Sequence, residues 1–96
     1  MLVLGGNIKL DGFNSVDPPT LIVVKKIVGN YAKKINDNIE PFQELLVNLN
    51  CNGESNFTLN ARLVVNERVC DVQARDENLF FALDRALNKV MEDLQK

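Results

Sequence analysis

The chain contains no histidine and only two cysteines, Cys51 and Cys70. Without histidine it lacks the commonest metal ligand and the side chain that titrates nearest neutral pH. Two cysteines cannot complete a structural zinc site alone, and their spacing fits no metal or redox motif. Ser15 and Ser55 sit in loop sequence with no histidine to activate them, and the carboxylates are scattered. The Gly5-Gly6 pair lies in neither a GxGxxG nor a GxxxxGK[ST] pattern, so it predicts a bend in an edge strand and not a phosphate loop. The expectation is a protein without catalysis, metal or cofactor. No apolar run approaches the ~18 residues needed to span a bilayer. No basic region followed by an apolar signal stretch opens the chain. A cytoplasmic protein is expected. With 13 acidic and 11 basic residues the net charge is −2. The overall field therefore does not attract nucleic acid, and any polyanion must be held by a local patch.

What is present suits a single domain spanning residues 1–96, with an apolar content of 46%, ordinary for a globular chain. The strongest pattern is the last, DENLFFALDRALNKVMEDLQK over 76–96. Leu79, Leu83, Leu87, Val90 and Leu94 recur at steps of three and four, and Phe80, Ala86 and Met91 widen the stripe. This predicts an amphipathic helix that exposes Arg85, Asn88, Lys89, Glu92 and Gln95. Asp76 is its expected N-cap.

Upstream, Ile8 and Leu10 alternate with polar residues, the period of a half-buried strand. Asp17 followed by Pro18 predicts a helix start. Leu21, Val24, Val28, Tyr31 and Ile35 then form one face, and Asn36-Asp37-Asn38 before Pro41 ends the helix. This helix carries Lys25, Lys26, Lys33 and Lys34 and no acid between Asp17 and Asp37. Such a face is either simply solvated or an anion-binding surface. Three alternating segments follow: 43–51, 57–65 and 69–75. Asn52-Gly53-Glu54-Ser55 and Asn66-Glu67 supply the turns between them.

The element order is β-α-β-β-β-α, an α+β fold. A four-stranded mixed sheet is expected in order 1-2-3-4, its first two strands parallel, with both helices on its one apolar face. Cys51 and Cys70 then stand on strands separated by a third, ~10 Å apart, too far to bridge. Both are expected to be reduced core residues.

The run Leu79-Phe80-Phe81-Ala82-Leu83-Asp84 with Lys89 after it, the Val24-Lys25-Lys26-Ile27 run and the strand leading into Arg75-Asp76 together resemble the N-terminal domain of ribosome hibernation-promoting factors, the protein Y family. The resemblance covers essentially the whole chain. It implies a stoichiometric plug that docks in the mRNA and tRNA channel of the small ribosomal subunit and blocks translation under stress. Recognition would rest on shape and phosphates, as in the double-stranded RNA-binding-domain-like folds. By position, the residues implied to bind ribosomal RNA are Lys25, Lys26, Lys33 and Lys34, with Arg85, Lys89 and, at the strand–helix junction, Arg75. The chain departs from the family in placing Glu92 and Asp93 where basic residues are usual, and a second domain of the kind through which ribosomes are paired is not expected.

A second reading is a protein-interaction or oligomerisation domain that keeps this fold without ribosome binding. It rests on the acidic balance, on Phe81 near the rim of the last helix, on Ile22, Leu46 and Val64 pointing away from the core, and on a free sheet edge at the strand ending in Arg75.

Overall fold

The structure is a computed structural model and describes residues 2–4, 7–14, 16–38, 41–51 and 56–94. The expected bend at Gly5-Gly6, the loop over 52–55, the loop serines Ser15 and Ser55, the exposed Gln95 and the side chain of Cys51 lie outside the described residues.

Among the described residues, five strands and two helices follow one another as β1 (Leu2–Leu4), β2 (Ile8–Asp11), α1 (Pro18–Asn38), β3 (Glu44–Cys51), β4 (Phe57–Val65), β5 (Arg68–Asp76) and α2 (Leu79–Leu94). They form one sheet in the order β1-β2-β3-β4-β5. The expected four-stranded order survives as β2 to β5, with β2 and β3 parallel and the later pairs antiparallel. The strand count is corrected from four to five, because Leu2–Leu4 and Ile8–Asp11 are two antiparallel strands and not one bent one. The chain reverses between Leu4 and Ile8, which face each other in the ladder.

Strand alternation puts Leu10, Leu45, Val47, Leu49, Leu59, Ala61, Leu63 and Val65 on the buried face, joined by Cys70 and Ala74. Val24, Val28, Ala32 and Ile35 of α1 and the Leu79–Leu94 stripe of α2 belong to the same cluster. The other face carries polar cross-strand rows such as Asp11–Asn48–Asn60–Gln73 and an Arg62–Asp71 ion pair, with Val69 and, as expected for residues pointing away from the core, Leu46 and Val64 among them.

Local chemistry fixes the joints. Gly12 holds φ at +81°, and a Cβ there would stand 2.2 Å from the Leu49 carbonyl oxygen. Only glycine fits, and the turn delivers Phe13 into the core at 1% exposure. Asp17 caps α1 as expected, its carboxylate accepting from the Thr20 amide at 3.3 Å. Those Thr20 hydrogen bonds hold the Asp17 carboxyl below its ordinary range. The Asn66-Glu67 turn forms with Asn66 at φ 54°, a region asparagine tolerates.

The cap of α2 is corrected. Asn78, not Asp76, accepts from the amides of Phe80 and Phe81, at 2.9 and 3.2 Å. Asp76 is still in β5, paired with Phe57, and its carboxylate accepts from the Asn78 amide. The two cysteines stand at opposite ends of β4: the Cys51 backbone pairs with Phe57, and Cys70 pairs with Leu63. Cys70 is a free, buried thiol.

Candidate nucleic-acid interface

Arg85 and Lys89 lie one turn apart on α2 and face the outer edge of β5. The Lys89 ammonium donates to the Gln73 carbonyl oxygen at 2.9 Å, and the Arg85 guanidinium to the Arg75 carbonyl oxygen at 3.5 Å. Arg85 also lies 3.3 Å from the Asp76 carboxylate. A cleft of ≈360 Å³ results, lined by Thr58, Gln73, Ala74, Arg75, Arg85 and Lys89. Backbone carbonyls thus fix two cationic head groups beside a third.

The edge of β5 is consequently less free than its position suggests. Two of its outward carbonyls are engaged by α2, and Arg68 donates to the Asp93 carbonyl at 3.2 Å, tying the start of β5 to the end of the helix.

On α1, Lys33 and Lys34 line a shallow depression of ≈320 Å³ with Asn30 and Asp37. Lys34 stands over the Tyr31 ring, 5.3 Å from its centroid, a cation–π contact that orients the ammonium. Lys26 is exposed two turns before Lys33 on the same outward side, and Lys25 is half-buried beside the core face. Neither of those two lines either depression.

The seven residues expected to bind RNA therefore form groups and not one patch. The seam between the helices divides them. There the Tyr31 hydroxyl donates to the Asp84 carboxylate, which also accepts from Asn88. Burial, and then Asp84, push the Tyr31 phenol up to about 12. Asp84 faces α1, whereas Arg85 and Lys89 face β5. Thr58, Gln73 and the Tyr31–Asp84 tie were absent from the sequence reading. Thr58 and Gln73 were legible only as outward strand positions, and no sequence signal couples residues 31 and 84 before the helices are packed.

Two other features bear on chemistry. Among the described residues no group of three or more histidine, cysteine or acidic side chains is placed to hold a metal. Among the described residues no helix is long and apolar enough to cross a membrane. A further cavity of ≈360 Å³ is lined by Val16, Asp17, Thr20, Phe57 and the start of α2, with Glu77 among its residues.

Neither a protein-family model nor a curated protein matches the chain in sequence. Solved structures do match it in shape. A ribosomal subunit interface protein from Coxiella burnetii superposes with a TM-score of 0.72, covering 93% of this chain and 93% of that one at 12% identity. The N-terminal domain of Thermus thermophilus protein Y superposes with a TM-score of 0.67, covering 92% of each chain at 15% identity. The likeness to double-stranded RNA-binding domains finds no support in these comparisons. The α+β fold that the resemblance to the protein Y family implied is the fold this chain has.

Proposed function

We propose that this protein is a ribosome-associated, hibernation-type translation inhibitor that acts in the cytoplasm and holds small-subunit ribosomal RNA through its phosphates. The observation that carries the reading is the cleft at the β5 edge, where Arg75, Arg85 and Lys89 converge. It occurs in a fold shared over nearly the whole chain with a ribosomal subunit interface protein. An ammonium has three donors and a guanidinium five. One bond of Lys89 to Gln73, and the bond of Arg85 to Arg75 with its contact to Asp76, still leave donors of both for phosphate oxygens. Because the carbonyls already hold these head groups, less side-chain entropy is lost on binding. Lys33 and Lys34 supply a second phosphate contact, with Lys25 and Lys26 adding to the field on that helix. The protein acts as a stoichiometric plug, so no group in it needs to perform catalysis.

The test is sucrose-gradient sedimentation of the protein with purified small subunits at low and moderate salt. Co-migration at low salt that weakens with salt, and is lost in Arg85→Glu/Lys89→Glu and reduced in Lys26→Glu/Lys33→Glu, is the expected result. Absence of co-migration at low salt, where phosphate contacts are strongest, rejects the proposal.

A second reading, a protein-interaction domain, is favoured by one observation. Phe81 on α2 and Ile22 on α1 are 64% and 58% exposed. Phe81→Ser that left subunit binding intact but abolished binding to a protein partner would support it.

A further inference from the structure

The two edges of the sheet are built differently. At β5 the outward carbonyls of Gln73 and Arg75 are occupied by Lys89 and Arg85, and the strand carries Arg68, Asp71 and Arg75. β1 lies at the opposite edge and, among the described residues, is bonded to β2 alone. Its sequence, Leu-Val-Leu, has no charge and no proline, and Val3 is 57% exposed. Natural sheets protect edges with charge, proline, bulges, covering segments or very short strands. β5 has charged side chains over its edge. Among the described residues β1 has only its shortness.

We propose that β1 is an interface for a second copy of this chain, paired antiparallel about a two-fold axis through Val3. The chemistry of the strand selects the occupant. Lys9, the cross-strand neighbour of Val3, lies 3.8 Å from Glu44, and β1 itself offers an incoming strand no charge. An uncharged apolar strand fits, and β1 is itself such a strand. Pairing about Val3 sets Val3 against Val3 on the open face and Leu2 opposite Leu4 in the ladder. Leu4 packs on the buried cluster and so keeps the core face continuous across the join.

The protected edge determines where assembly stops. Head-to-tail growth would need β1 of one copy to pair with β5 of the next, and β5 is capped by Lys89 and Arg85. Only the isologous pair remains, and it closes at two copies. The product is one ten-stranded sheet with an Arg75–Arg85–Lys89 cleft at each outer edge, so pairing and anion binding do not compete. Three-residue strands bury little area, the regime of small transient interfaces, so the dissociation constant is expected on the order of 100 µM.

The experiment is sedimentation equilibrium of the full chain at concentrations below, near and above that value. The mass should rise from one chain to two and stop there. Val3→Lys changes only an open-face position and sets like charges across the axis and beside Lys9, so it should return the chain to one copy. Val3→Thr, which keeps a strand-favouring side chain, should retain the dimer. In the unmodified protein, amide exchange at residues 2–4 should slow as concentration rises while exchange along β5 does not, a readout independent of how any variant folds. A single-chain mass throughout overturns the inference. So does growth beyond two copies, or a dimer that survives Val3→Lys and is lost in Phe81→Ser.

Discussion

Tyr31 is the chain's single tyrosine, so its ionisation can be followed by absorbance without assignment. Burial is the first cause of its raised pKa, and the Asp84 carboxylate, as hydrogen-bond acceptor and negative charge, is the second. A phenol is neutral when protonated, so a value raised to about 12 means that the folded state retains a proton the unfolded state releases near 10. The stability linked to Tyr31 is therefore fully present below about 10 and lost as pH rises through about 12. Native titration is expected with a midpoint near 12, and Asp84→Asn should lower it only in part, because burial remains. A midpoint near 10 in the native protein would mean that the seam is open in solution. Glycine gives a second single-residue contrast. Gly12→Ala forces a Cβ onto the Leu49 carbonyl at positive φ, whereas Gly29, outward on α1, has nothing within 4 Å of an added Cβ. Gly12→Ala should cost on the order of 1–3 kcal/mol. Gly29→Ala should stabilise by about 0.5–1 kcal/mol. Denaturant unfolding of the two variants reads both signs.

At the scale of elements, the apolar period alone placed both helices and the three long strands. β4 is the clearest case: its expected range of 57–65 is the observed Phe57–Val65. Two features were not legible. Leu2–Leu4 is too short to show a period of two, and a Gly-Gly pair signals a bend as readily as a reversal, so β1 merged with β2. Asp76 followed by Glu77 has the composition of a helix start, yet pairing with Phe57 carries β5 through Asp76 and moves the cap to Asn78. Long-range pairing overrode a local preference at Asp76, whereas at β1 the local signal was too short to read. The candidate site was legible to the same depth: α2 was seen to expose Arg85 and Lys89, but not that they reach the β5 carbonyls. That contact makes a prediction about the edge. Arg85→Ser/Lys89→Ser removes both protecting side chains without touching the buried stripe, so the helix should persist by circular dichroism. Light scattering should then rise with concentration as β5 becomes available for pairing. If the double variant scatters no more than the parent, the two cations serve anion binding and not edge protection.

For the whole molecule, the proposed function requires a chain of net charge −2 to hold a polyanion. Its cations are segregated by the fold: Arg75, Arg85 and Lys89 at the β5 edge, Lys33 and Lys34 on α1, with Asp84 in the seam between. Asp76 beside Arg85 and Asp37 beside Lys33 and Lys34 reduce the field of each group at a distance. Attraction is therefore short-ranged, and binding should depend on how many phosphates are touched and not on net charge. Salt titration counts those contacts. If the cleft alone engages a duplex segment of ribosomal RNA, log K against log salt should fall with a slope of roughly −2.7, and less steeply for single strands. If α1 touches the same RNA, the slope is steeper. Neutralising Lys33 and Lys34 as Lys33→Gln/Lys34→Gln then makes it shallower by about 0.9 for each contact removed. An unchanged slope with slightly weaker binding would assign those lysines to the general field and leave the β5 cleft as the docking surface. A parent slope near zero would remove phosphate contact from the function altogether and shift attention to the exposed Phe81 face of α2.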